Sequence, residues 1–133
     1  MSDQTSQTNN SGKKKILIVE DDKFLRELIV TKLENEGFDT AVAVDGNEGI
    51  KAIEEQKPNL VILDLMLPGI DGFEVLQRMK ENQALTSIPV LILSNLGQRE
   101  DVEKGLSLGA VDFLIKAHFT PNEVIEKVKN YLA

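Results

Sequence analysis

The sequence lacks cysteine, lacks any long hydrophobic run and is short of positive charge. With no thiol among 133 residues, disulfide scaffolds, thiol nucleophiles, cysteine zinc sites and thiol redox sensing are all excluded. No apolar stretch approaches the roughly 20 residues that cross a bilayer, and residues 1–12 lack the apolar segment of a secretory signal. A cytoplasmic protein without membrane contact is therefore expected. Basic side chains number 15 against 22 acidic ones, for a formal charge of −7, so a direct grip on nucleic-acid phosphates or an anionic membrane is not expected. Cations and cation-bearing proteins are the favoured partners. No repeat of solenoid period is present.

What is there is one ordinary domain: 41% apolar and 28% charged residues, in a chain long enough to bury about two-thirds of its unfolded surface. Residues 1–12, MSDQTSQTNNSG, are polar and read as a disordered leader, leaving 13–133 as the folded domain. Lys13, Lys14 and Lys15 read as a solvated approach to a first strand.

Beyond them, short apolar runs alternate with segments of helical period, the pattern of βαβ units around a parallel sheet. Strands are predicted at Ile16–Val19, Thr40–Val44, Leu60–Leu63, Val90–Leu93 and Val111–Ile115. The first, third and fourth are unbroken Ile, Leu and Val, as strands buried on both faces require. The second and fifth carry Thr40, Ala41, Ala43 and Asp112 and belong toward the edges, which gives the order 2-1-3-4-5. Phe24, Leu25, Leu28, Ile29 and Leu33 predict the apolar face of a first helix, and Phe73, Leu76 and Met79 that of a third. Asp45 with Glu48, and Thr120 with Glu123 before Pro121, have capping-box spacing. The fourth helix, about 98–108, is the weakest: Gly105 interrupts it, and Val102, Leu106 and Leu108 are its only apolar stripe.

The chemistry stands where the strands end. The first runs into Glu20, Asp21 and Asp22, the third into Asp64, the fourth into Ser94 and the fifth into Lys116. Parallel strands deliver these groups to one rim, where open α/β sheets bind ligands. Two carboxylates about 4 Å apart repel by roughly 4 kcal/mol at an effective dielectric near 20. Either one pKa rises or a divalent cation sits among them, and an all-oxygen site selects a hard ion such as Mg2+. Such an ion commonly completes its shell with phosphate, which points to phosphoryl transfer. Asp64, followed by the turn Leu65-Met66-Leu67-Pro68-Gly69, is expected to protrude as the nucleophile, with no histidine or serine base beside it. A carboxylate needs none.

These residues resemble the receiver domain of bacterial two-component response regulators. The strings ILIVEDD, LVILDLMLPGIDG, VLILS and VDFLIK stand in family order and spacing across about residues 13–132. The resemblance implies a flavodoxin-like (βα)5 three-layer sandwich that takes a phosphoryl group from the phosphohistidine of a sensor histidine kinase or phosphotransfer protein. It implies Glu20 and Asp21 as the acidic pair, Asp64 as phosphoacceptor, Ser94 as switch hydroxyl, Lys116 as the family's lysine and Phe113 as the aromatic switch. It further implies Mg2+ held by Asp21, Asp64, the Met66 carbonyl and, through water, Glu20. Asp22 is expected to be a neighbour only, Asp71 and Gly72 to be helix-start residues, and His118 to be incidental.

Two departures from the family pattern stand out. Ala117 follows Lys116 where the family usually has proline in a cis peptide; a cis bond here would cost about 3–4 kcal/mol, so a trans, differently shaped loop is expected. Asn95 stands where a small residue is common. Met66 and Leu96 are expected to shield the acyl phosphate and slow its hydrolysis. Because the sequence ends at Ala133, a stand-alone receiver is expected, signalling through a separate effector protein or a homodimer. The rival readings are a degenerate receiver that binds partners without phosphorylation, a small Mg2+-dependent phosphatase lacking an evident general acid, and a flavin carrier disfavoured by the acidic first loop.

Overall fold

The computed structural model describes residues 12–133; the expected polar leader therefore lies outside the described residues except for Gly12. Among the described residues five strands and five helices alternate: β1 (Lys15–Val19), α1 (Lys23–Asn35), β2 (Asp39–Ala43), α2 (Gly46–Gln56), β3 (Leu60–Leu63), α3 (Gly72–Glu81), β4 (Val90–Ser94), α4 (Arg99–Ser107), β5 (Asp112–Ile115) and α5 (Pro121–Leu132). A 3-10 turn, Lys116–His118, joins β5 to α5. All pairings are parallel, in the order β2-β1-β3-β4-β5. This is the expected flavodoxin-like (βα)5 sandwich.

Alternation along the strands sorts the core into two layers. Ile16, Ile18, Leu60, Ile62, Leu91, Leu93 and Leu114 face α1 and α5, meeting Ile29, Leu33, Val124, Ile125 and Val128. Leu17, Val19, Val61, Leu63, Val90, Ile92 and Phe113 face the other side, against Ile53, Val75, Leu76 and Met79. Each such side chain, fully buried, contributes roughly 1.5–3 kcal/mol of transfer free energy. The central strands β1, β3 and β4 are buried along nearly their whole length, whereas β2 exposes Asp39 and Val42, as its edge position requires.

The helix starts follow local chemistry. Asp22, Asp45 and Asp71 cap α1, α2 and α3, each accepting from the amide three residues on. Thr120 and Glu123 form the full capping box of α5 with Pro121 behind the cap. The box expected at Asp45 and Glu48 is only half formed, because the Glu48 carboxylate accepts from the Val44 amide instead. Val44 lies just beyond the second strand, which runs Asp39–Ala43 in register with Lys15–Val19. Val111 likewise precedes β5 and is exposed, while Ser94 joins β4 by pairing with Ile115.

Two apolar assignments need correction. Phe24 does not line the core face of α1 but is 79% exposed. The sheet-facing stripe is Leu25, Ile29 and Leu33, spaced i, i+4, i+8, and Phe24 lies about 100° from it. Leu106 is likewise exposed, because α4 meets the sheet through Gly105, which is buried.

Candidate functional site

Each functional side chain owes its place to a strand end. The Glu20 amide extends the β1–β2 ladder by donating to the Ala43 carbonyl at 3.0 Å, and the Asp64 amide donates to the Val19 carbonyl at 3.0 Å. Glu20, Asp21 and Asp64 thereby offer oxygens that all lie within 4.8 Å of one another. Lys116, opening the turn after β5, reaches back across the rim: its Nζ is 2.9 Å from Glu20 Oε1 and 3.0 Å from Asp64 Oδ2. The other Asp64 oxygen accepts from the Met66 amide at 3.2 Å. Asp64 does not protrude as expected. It is 5% exposed, because the ammonium and the Met66 amide hold the carboxylate against the end of a fully buried strand.

The electrostatics follow from counting charges in a shielded place. Glu20 is 3% exposed, and burial is the main cause that raises its carboxyl pKa above the usual 4.5; the Lys116 hydrogen bond opposes the rise and the nearby Asp64 charge adds to it. Burial works against the charge of Lys116, but hydrogen bonds to Glu20 and Asp64 outweigh it and hold the ammonium above the usual 10.5. One ammonium thus serves two buried carboxylates, with Asp21 alongside. Folded-state stability associated with a neutral Glu20 is fully present below its unfolded pKa of 4.5 and is lost as pH rises through the raised value. Urea midpoints across that range should fall with pH in the parent and flatten in Glu20→Gln.

A donor set of carboxylates only, without sulfur or imidazole and short of positive charge, fits a hard divalent cation. The cluster opens beside a groove of about 450 Å³ whose walls include Asp21, Met66, Pro68, Phe73 and Leu96.

The neighbours take supporting roles. Asp22 caps α1 and its amide donates to Glu20 Oε2 at 3.1 Å. The Arg26 guanidinium donates to the Glu20 carbonyl at 2.9 Å. Asp71 caps α3, and a Cβ on Gly72 would collide with the Asp64 carbonyl oxygen. Ser94 is fully buried at the end of β4, its Oγ accepting from the Leu96 amide at 3.3 Å. Phe113 stands apart from the rim, on the α4 side of the sheet, where a Cβ on Gly105 would come within 3.1 Å of its ring. His118 is exposed, and no peptide bond among the described residues is cis, so Lys116–Ala117 is trans.

Sequence reading brought Glu20, Asp21, Asp64, Met66 and Lys116 to one place, and the structure does so too. It missed the second partner of Lys116, the contact of Arg26 and the approach of Gly72. The only advance signal for the last was a glycine next to a capping aspartate.

Residues 16–129 match the family model of the response regulator receiver domain. The chain belongs to this family. The receiver is 41% identical over 118 residues to the DNA-binding dual master transcriptional regulator RpaA of Synechocystis sp., covering 89% of this chain and 48% of RpaA. It spans about half the length of the curated relatives it matches. Among solved structures it is similar to the receiver domain of the Francisella response regulator 1452, with TM-score 0.80, 36% identity and coverage of 87% of this chain and 93% of that one. It is also similar to the Mn2+-bound form of response regulator Rcp1, with TM-score 0.75, 31% identity and coverage of 82% and 85%. Receiver domains of response regulators are phosphoacceptors, which places this receiver in two-component signalling.

Proposed function

We propose that this receiver is a phosphorylation-controlled switch whose acceptor is Asp64, charged by a histidine kinase or phosphotransfer protein in a Mg2+-dependent reaction. The observation that carries this reading is the Lys116 ammonium bridging Glu20 and Asp64 beside Asp21. Glu20, Asp21, Asp64 and the Met66 carbonyl are the residues proposed to hold the cation; the Mn2+ in the Rcp1 structure supports a divalent ion in a similar fold. When bound, Mg2+ would supply positive charge to offset the negative charge on the phosphoryl oxygens.

In this reading an Asp64 carboxylate oxygen attacks phosphorus, the P–N bond of phosphohistidine breaks, and its electron pair returns to the imidazole nitrogen. The product is an acyl phosphate on Asp64. The Met66 amide and Lys116 hold the carboxylate in place before attack, and Lys116 then serves the new oxygens. The Ser94 hydroxyl, now an acceptor for Leu96, reorients as donor to a phosphoryl oxygen and draws the β4–α4 loop with it. The ring of Phe113, expected to turn inward on switching, is already buried; in this reading phosphorylation stabilises that seat. Met66 and Leu96 flank the groove and are proposed to shield the acyl phosphate, so its lifetime with Mg2+ should exceed seconds.

The signal is proposed to leave through a separate effector protein or by homodimerisation, in the cytoplasm. No helix among the described residues is long and apolar enough to cross a membrane.

The decisive experiment incubates the protein and Asp64→Asn with a small acyl-phosphate donor and Mg2+ and weighs the intact chains. A phosphoryl mass gain in the parent alone supports the switch. Gain in both places the acceptor elsewhere, gain in neither favours the phosphorylation-independent binder, and continuous release of inorganic phosphate favours a phosphatase.

A further inference from the structure

The carboxylate of Asp21 is exposed and makes no hydrogen bond among the described residues, yet it converges with two buried acids. Something other than its own contacts must aim it. The peptides on either side of it are both restrained. On the preceding side, the Glu20 carbonyl is the first beyond the β1 ladder and needs a partner away from water. The Arg26 guanidinium supplies it at 2.9 Å. On the following side, the Asp22 amide is tied to Glu20 Oε2 at 3.1 Å.

Arg26 is informative for what it does not do. It is half-buried, one turn into α1, beside a cluster of three acids in a chain of charge −7. Among the described residues it forms no ion pair, and its only side-chain hydrogen bond goes to that backbone carbonyl. Packing alone needs no guanidinium, and charge neutralisation would direct one to a carboxylate.

Resting on the reading of the rim as a divalent-cation site, we infer that Arg26 is a positioning residue: by fixing the Glu20 carbonyl it sets the Glu20–Asp21 peptide and so aims Asp21 into the acidic cluster. The sign of its effect separates this role from electrostatics. Removing a cation near a metal site should tighten divalent binding if charge alone matters. Removing a support that orients a ligand should weaken it, typically by about tenfold or more.

The test is Mg2+ affinity by calorimetry for the parent, Arg26→Met and Arg26→Lys, with thermal midpoints in chelator to report folding. Arg26→Met should bind Mg2+ about tenfold more weakly, and Arg26→Lys, which keeps the charge but loses the planar fork, severalfold more weakly. Equal or tighter binding by a folded Arg26→Met overturns the assignment. Should that variant not fold, Arg26→Lys decides alone, and an affinity equal to the parent overturns it. A parent that binds no Mg2+ refutes instead the reading of the rim itself.

Discussion

Helices α3 and α4 lie on the same face of the sheet and differ in how they are held. The α3 helix begins on the Asp71 side-chain cap, presses Gly72 against the backbone of Asp64, and buries Val75, Leu76 and Met79. The α4 helix begins at Gln98 without a side-chain cap and buries only Gly105. Val102 and, at the C-cap, Leu108 pack only half-buried against the core, and the polar ties to α3 are at the surface: the Lys104 ammonium lies 4.3 Å from the centre of the Phe73 ring, and Lys80 Nζ donates to the Ser107 carbonyl at 3.4 Å. The contrast shows a division of labour. One helix packs against the backbone of Asp64, the proposed acceptor, while its neighbour is held weakly enough to change position at small cost, which is what a two-state element requires.

That contrast can be broken at its strongest point. Gly72→Ala places a methyl where the Asp64 carbonyl stands, and neither backbone can yield easily; a loss of about 3 kcal/mol is expected. Urea unfolding should show it, and phosphoryl uptake should fall with it because Asp64 shifts. Uptake at the parent rate by a folded variant would show that α3 does not fix the acceptor.

Gly105→Ala should cost less. The flexible end of Ile92 and the Phe113 ring are what a methyl would meet there, and the gain in helix propensity of about 1 kcal/mol offsets part of the overpacking. A net loss of about 1 kcal/mol is expected, with altered ring resonances of Phe113 in NMR spectra. Unchanged resonances would mean that α4 does not seat the ring.

Supplying the missing cap should work in the opposite direction. Gln98→Ser should stabilise the protein by about 0.5–1 kcal/mol, and amide exchange in α4 should slow while exchange in α3 stays the same. Equal slowing in both would show that the two helices open as one unit.

The smallest effect belongs to Lys104→Ala, at about 0.5 kcal/mol for an exposed cation over a ring. Its signature should be faster amide exchange confined to α4, and exchange unchanged there would remove Lys104 as a tie.

Much of this was legible before any coordinates. Unbroken apolar runs at residues 16–19, 60–63 and 90–93 announce central strands, and a parallel sheet must then deliver Glu20, Asp21, Asp64 and Lys116 to one rim. What the sequence could not disclose depends on contacts between distant segments. Val44 has strand character, but β2 stops at Ala43, opposite the last residue of β1, Val19. Phe24 belongs to an apolar helix by composition, yet the angle at which α1 meets the sheet leaves it in water. Gly105 reads as a flaw in a helix until Ile92 and Phe113 are seen to occupy the space its side chain would need.

The sequence by itself determined the alternation of strand and helix, the two-layered core and the acidic chemistry of one sheet edge, because periodicity and strand direction are local properties that add up without ambiguity. Tertiary structure alone decided that Asp64 is buried, that Lys116 divides itself between two acids, and that Arg26 spends its charge on a carbonyl. Those outcomes hinge on distances of about 3 Å between residues as many as 96 positions apart, and no local pattern encodes which of several nearby partners a flexible charged side chain will meet.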